Sequence, residues 1–424
     1  MVHSSQELSP RIVGNDDCLP RVPLPTLEES CARFLEWCGP LLTPDDMAVT
    51  ETAVASFLRP GSPARTLHAA LEQYDASDGV HSWLDTFWPY RYLGRRDRIA
   101  LNANFFFLFE DSAVSSPQGG QVDRAAALVA GALDYKLLID EQRVPPAVQR
   151  GRPLSMEQNK YLFSTTRIPG PVRDSVRTPY SDDWPGPARE RHIVVFVRGT
   201  MFRLDVIGPD SRPHTTDELA DGLRAVLAAG ATPAAPGTSI GHLTTKARAQ
   251  WAASRQALLD CHPGNADLLD TVETALFCLC LEDTTPKDAR EACDQLLHGD
   301  SGNRWFDKAL SLIVFPDGTA GLNGEHCKLD GTTVVSFVDA VLGSSAQQHP
   351  RRSAAESPGT PAFARLDFVL DADLRSDAAA AAAAFAAYAA DTASATLRIE
   401  GFTSERAKQL GMSPDAFAQL AFQL

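Results

Sequence analysis

The sequence predicts an α/β protein of two domains, and three observations carry that reading. Amphipathic helical segments alternate with short β-rich runs along the chain. Two places carry hairpin chemistry, Arg198-Gly199 and Pro316-Asp317-Gly318. A chain of 424 residues also exceeds what one hydrophobic core ordinarily serves.

Taken in order, Thr26 and Glu29 form a capping box for a helix in which Leu27, Cys31, Phe34 and Leu35 recur at helical spacing. Gly39-Pro40 ends it, and Thr43-Pro44 with Asp45 and Asp46 opens another. "HSWLDTFWPYRYL" is aromatic and reads as core. Residues 111–122 read as a loop before a helix in "RAAALVAGALDYKLLI". "RHIVVFVRGTMFRLDVIG" is a hairpin, and "PHTTDELADGLRAVLAAG" is a helix that ends at Gly230. "ATPAAPGTSIG" is a linker or an active-site loop. "LTTKARAQWAASRQALL" and "ADLLDTVETALFCLCLED" read as two further helices. "KALSLIVFPDGTAGLNGEH" is a second hairpin that delivers His326 at a strand end. Residues 344–361 are a polar crossover, "DAAAAAAAFAAYAAD" a helix and "TLRIEGF" a strand. Ser413, Pro414 and Asp415 start a last helix that reaches the end of the sequence without a C-cap.

The formal net charge of −15 argues against broad binding to nucleic acid or an anionic membrane, since both need a basic face. It leaves room for a local basic pocket. The eight cysteines match neither a zinc pattern nor a CxxC pair and read as reduced thiols. No secretory or mitochondrial signal stands at the N-terminus, and no apolar run is long enough to span a bilayer, so the cytoplasm is the expected location, with a peroxisome or mitochondrion as the alternatives.

"GLNGEHCKLDG", residues 321–331, holds the main candidate chemistry. A histidine removes a hydroxyl proton near neutral pH if a carboxylate supports its charged form. Asp330 supplies that support to His326 if the segment makes a helical turn. Glu325 does so only if the backbone turns, because neighbours on a strand point to opposite faces. For that reason also, Cys327 reads as a packed side chain rather than a nucleophile. "HGDSGN", residues 298–303, has the look of a serine-nucleophile motif, but no histidine segment suited to it precedes it. Gly-rich phosphate loops and metal-ligand spacings are absent from the sequence.

Several stretches together resemble the choline/carnitine O-acyltransferase family. "LPRVPLPTLEESCARFL" is similar to its N-terminal signature. "TTRIPG", "RHIVVFVRGTMFRLDV", "GHLTTKARAQWAASRQAL" and "NRWFDKALSLIVFPDGTAGLNGEH" follow in the family's order, and "SPDAFAQLAFQL" resembles its helix beside coenzyme A. The resemblance implies His326 as the general base that deprotonates an acceptor hydroxyl for direct attack on the thioester of acyl-coenzyme A. It implies Asp330 as its support. It places Lys408, Ser413 and Asp415 at the coenzyme A site. The family's first coenzyme A lysine has no counterpart in "GFTSER", where Arg406 stands nearby.

The family fold is a pair of α/β domains similar to chloramphenicol acetyltransferase, with the site between them. By that guide residues 76–360 form the domain with the histidine. Residues 1–75 supply helices to the second domain, and 361–424 start its C-terminal half, which stays incomplete because family members run further. A transferase with carnitine or choline as acceptor, acyl-coenzyme A as donor, no metal and a monomeric state is the implied whole. Carnitine is preferred on the family's distribution, and short or medium acyl groups on the lack of a transmembrane segment in this sequence. The alternative is a catalytically incomplete chain, a binding module that keeps weak affinity for acyl-coenzyme A.

Overall fold

The computed structural model describes residues 19–110, 120–180, 188–343, 359–397 and 399–424. The N-terminal tail, most of the 111–122 loop and most of the 344–361 crossover lie outside the described residues.

Three N-terminal helices come first, α1 (Leu27–Cys38), α2 (Pro44–Phe57) and α3 (Pro63–Asp75). Each begins at a hydroxyl cap, Thr26, Thr43 or Ser62. At α1 the box closes both ways: Thr26 Oγ1 accepts the Glu29 amide at 3.1 Å, and the Glu29 carboxylate accepts the Thr26 amide at 2.9 Å. Leu27 and Cys31 are buried there, whereas Phe34 and Trp37 stay exposed. A short α4 (Phe87–Leu93) precedes β1 (Phe105–Leu108) and the long α5 (Gly120–Asp140). The expected aromatic core is not one: Phe87 and Tyr90 are 52% and 60% exposed. A helix this short points its rings to several sides, and Tyr92 turns inward instead.

The remaining strands are β2 (Val148–Gln149), β3 (Arg152–Pro153), β4 (Thr166–Ile168), β5 (Ser175–Arg177), β6 (His192–Val197), β7 (Thr200–Asp205), β8 (Cys278–Leu281), β9 (Leu310–Val314), β10 (Ala320–Gly324) and β11 (Phe363–Arg365). The remaining helices are α6 (Thr216–Ala229), α7 (Arg248–Cys261), α8 (Gly264–Thr274), α9 (Ala289–Leu297), α10 (Gly331–Gly343), α11 (Ala372–Ala390), α12 (Ser404–Gln409) and α13 (Pro414–Ala421). Seven strands form one sheet in the order β1-β10-β9-β8-β6-β7-β11. It is mixed: β8 runs parallel to β6 and β9, and the other neighbours are antiparallel.

Strand periodicity explains the layers. Along β6, Ile193, Val195 and Val197 pack into one apolar cluster with residues of α5, α6 and α10, while Val194 and Phe196 pack into another with residues of α7, α8 and α11. Both sheet faces are therefore covered, and central strands read as unbroken apolar runs. This is why "ALFCLCL" is misleading as sequence. Its expected helix stops at Thr274, and Cys278–Leu281 is a fully buried strand. A short apolar run buried on two faces carries no period that separates helix from strand. The expected strand in "TLRIEGF" is likewise not formed among its described residues. The β6–β7 hairpin turns on Arg198 and Gly199, both at positive φ (47° and 78°), as a tight hairpin requires.

His192, at the start of β6, is buried with Nε2 2.8 Å from the Thr271 carbonyl. Burial holds its imidazole down to about 4, against the help of that hydrogen bond. Between that value and the ordinary histidine value the unfolded chain binds more protons, so stability falls as pH is lowered through that window. About 2 kcal/mol should be lost between pH 7 and pH 5 from this group. Urea denaturation at the two pH values, with His192→Gln as control, checks it; an equal pH dependence in both proteins contradicts it.

Candidate active site

His326 leaves the end of β10 at a place built by a glycine. Gly324 pairs in register with Phe105 of β1, and a Cβ there would come within 2.6 Å of the Phe105 ring. The missing side chain lets that ring lie across the strand end and reach the imidazole, with centroids 5.0 Å apart. Tyr92 stacks on the imidazole at 4.6 Å and 24°. Burial, and then the negative charge of Asp330, pushes the Tyr92 hydroxyl above its ordinary range, so it stays a neutral phenol. The His326 side chain is 19% exposed, so the imidazole is half-buried.

The segment after it is not a helical turn. Lys328 has φ 63°, and α10 begins at Gly331. The loop nevertheless brings Asp330 Oδ1 to 3.6 Å from His326 Nδ1, and the Leu329 carbonyl to 2.9 Å from the same nitrogen. A carbonyl only accepts, so Nδ1 carries a proton, and in the neutral ring the lone pair then lies on Nε2. Asp330 is held in turn by Gln158, whose Nε2 donates to Oδ2 at 3.1 Å and whose Oε1 accepts the Asp330 amide at 2.9 Å. A cavity of about 1000 Å³ opens at Asp330, Gln158 and Thr333 and extends past Asp78, Asp85 and Glu157.

Glu325 and Cys327 point the other way from His326, as strand alternation requires. Cys327 Sγ donates to Glu325 Oε2 at 3.0 Å, and Glu325 Oε1 accepts from Arg167 at 2.7 Å. Burial, and then the Glu325 charge, pushes the Cys327 thiol well above its ordinary range, which removes the thiolate a nucleophile needs. Iodoacetamide should label the half-buried Cys38, Cys261 and Cys293 while the folded chain leaves Cys327 unmodified. Peptide mass mapping decides this, and labelling of Cys327 at the pace of the others would restore it as a nucleophile.

Beneath the histidine lies a buried ionic network that the sequence did not announce. Asp174 accepts from Arg167 Nε and Arg248 Nε, both at 2.6 Å, and from Arg96 at 2.9 Å. Burial alone would raise its carboxyl, but the charges of Arg248 and Arg167 outweigh that and hold it below the usual carboxylate range. Arg248 Nη2 also lies 2.6 Å from Asp307, an ion pair without hydrogen-bond alignment. Asp307 accepts from the Trp251 indole at 2.6 Å, yet burial still pushes its carboxyl up to about 6.

Lys408, Ser413 and Asp415 stay together on α12 and α13, exposed. The Phe402–Phe417 stack at 4.3 Å ties this unit together. No described hydrogen bond, ion pair or ring contact joins these three residues to the His326 segment. Arg406 is exposed on the same short helix. Ser301 does have a histidine beside it, since His242 Nδ1 lies 2.8 Å from its hydroxyl. Ser301 is buried, so the pair offers no accessible nucleophile. The loop at 231–239 lines a separate cavity of about 520 Å³ with His242, not the His326 site. Among the described residues, no cluster of His, Cys, Asp and Glu could hold a metal, and no helix is long and apolar enough to cross a membrane.

The profile of the family described as Choline/Carnitine o-acyltransferase matches residues 22–424. The chain is 31% identical to mouse (Mus musculus) mitochondrial carnitine O-palmitoyltransferase 2, over 96% of its own length and 65% of the relative's. It is 31% identical to carnitine O-acetyltransferase of Columba livia, again over 97% of this chain and 65% of that protein. The human carnitine O-acetyltransferase is 29% identical, over 99% of this chain and 67% of its own length. The chain thus spans about two thirds of the relatives it matches. A match that runs through β1 to α13 and includes both the strand that delivers His326 and the buried arginines beneath it leaves one assignment: the chain belongs to the choline/carnitine O-acyltransferase family.

Proposed function

We propose that this chain moves an acyl group between coenzyme A and the hydroxyl of carnitine, with choline as the second acceptor to test. The observation that carries the proposal is the 2.9 Å contact of His326 Nδ1 with the Leu329 carbonyl. In the neutral ring it places the lone pair on Nε2, which is the tautomer a general base needs. Nε2 takes the hydroxyl proton as the oxygen attacks the thioester carbonyl. The carbon–sulfur bond then breaks, and the imidazolium returns the proton to the departing thiolate. Asp330 stabilises the imidazolium from 3.6 Å. Transfer is direct, because the nearest thiol is buried and bonded elsewhere.

Coenzyme A would be held at α12 and α13. Lys408 and Arg406 supply positive charge there, and the amide end of α13 behind Ser413 and Asp415 completes the site. In the same reading residues 76–360 form one α/β domain and residues 1–75 and 361–424 belong to a second, on the pattern of chloramphenicol acetyltransferase. From the second stretch, β11 adds a strand to the large sheet beside β7, and α11 buries Leu374, Ala378 and Ala381 against its second face. A second reading, binding of acyl-coenzyme A without turnover, is favoured by one observation: no described hydrogen bond, ion pair or ring contact joins Lys408, Ser413 or Asp415 to the His326 segment.

Thiol release from acetyl-coenzyme A and from longer acyl donors, with and without L-carnitine or choline, separates the two. Release that depends on the acceptor supports transfer. Saturable binding of acyl-coenzyme A with no acceptor-dependent release sinks the transferase reading and leaves the binding one.

A further inference from the structure

Arg167 is fully buried and is given no role by the chemistry above, yet its three donor arms reach both supports of the imidazole. Nη1 donates to Glu325, the residue before His326, at 2.7 Å. Nη2 donates to the backbone carbonyl of Tyr92, whose ring stacks on His326, at 2.8 Å. Nε donates to Asp174 at 2.6 Å. Asp174 is the hub that also fixes Arg96, and Arg96 holds the next two carbonyls of the same stretch, Leu93 at 2.8 Å and Gly94 at 3.2 Å. The strand end that carries the histidine and the end of α4 that carries its stacking ring come from segments far apart in the chain. A single planar guanidinium spans them, and its fixed fork sets their separation.

We propose that Arg167 is the positioning residue of His326: it sets the distance between the backbone that carries the imidazole and the ring that packs on it. This rests on the reading of His326 as the base. The physical consequence is specific. Tyr92 closes one face of the ring and Phe105 flanks it, so the imidazole is confined to an orientation in which Nδ1 meets the Leu329 carbonyl. If the end of α4 and the Glu325 strand end move apart, the ring gains freedom to rotate and the carbonyl no longer selects the Nδ1–H tautomer. A lysine cannot replace the arginine, since one ammonium cannot reach all three acceptors in a plane.

The test uses the full chain and three variants: Arg167→Lys, the charge-balanced pair Arg167→Met with Glu325→Gln, and Glu325→Gln alone. The last keeps the guanidinium against Asp174 and serves if the first two do not fold. The readout is the nitrogen-15 spectrum of the imidazoles, with His326 assigned by its loss in His326→Gln. The wild-type ring should show a fixed Nδ1–H tautomer. Each folded variant should show the mixed tautomers of a free histidine, and carbethoxylation of His326 by diethyl pyrocarbonate should proceed at a changed rate. Where the wild type turns over, kcat should fall by up to about 10²-fold with KM little changed, the cost of roughly 1 Å of misplacement. Folded variants that keep the wild-type tautomer and carbethoxylation rate, and lose only thermal stability, overturn the proposal. A wild type without thiol release sinks the transferase reading instead, and the tautomer comparison still decides the role of Arg167.

Discussion

His326→Gln is expected to lower acceptor-dependent thiol release by about 10²–10⁴-fold, the range that a positioned general base supplies. Glutamine fills a similar volume between Tyr92 and Phe105 but cannot take up a proton at neutral pH. Thermal unfolding should shift little, because the side chain is half-buried and its polar contacts are one hydrogen bond to the Leu329 carbonyl and the longer approach of the part-exposed Asp330. Substrate KM values should stay close to wild type, since the group acts on the transition state. Steady-state assays at saturating acyl-coenzyme A and carnitine check it. Retention of more than about a tenth of the wild-type kcat would remove His326 as the base. Asp330→Asn should cost less, because Asp330 is 44% exposed and water screens its charge.

Asp174→Ala is expected to lower stability by about 3–5 kcal/mol, the usual cost of removing one partner from a buried ion pair. Arg167, Arg248 and Asp174 have fully buried side chains, so water cannot replace the lost carboxylate. Arg167 would keep Glu325, and Arg248 would keep Asp307. Two guanidiniums would then face each other across an empty site. Asp174→Asn keeps one acceptor oxygen and should fall between wild type and Ala. Urea denaturation at pH 7 measures both; a loss below about 1 kcal/mol for Ala would mean that the network contributes geometry rather than stability. The direction with pH follows from its lowered carboxyl. Its contribution is present above the ordinary aspartate value and fades as pH falls through the lower folded one.

Much of the architecture is written in local signals. The Thr26–Glu29 box, the Arg198-Gly199 turn and the Pro316-Asp317-Gly318 turn each depend on residues within a few positions of one another, so the chemistry of the stretch decides its form. His326 and Asp330 are in the same class, since one loop of five residues holds both. Their pairing was legible, although the reason differed from the expected one: a carbonyl and Gln158 orient them, not a helical turn. The strand at Cys278–Leu281 lies at the boundary. Its apolar run is obvious, but only the parallel neighbours β6 and β9 make it a strand.

The support of the histidine was not legible, and the physical reason is distance along the chain. Arg167 meets Glu325 across 158 positions and Tyr92 across 75, and Arg248 meets Asp174 across 74. An arginine inside a β-rich run such as "TTRIPG" looks like a solvated side chain until the fold removes its water. Burial then turns each of these charges into an obligation to find a partner, and that choice of partners is made when the sheet closes. Periodicity, caps and turns dictate the elements and the strand end on which His326 stands; the packing of distant segments around one guanidinium determines how that strand end is held.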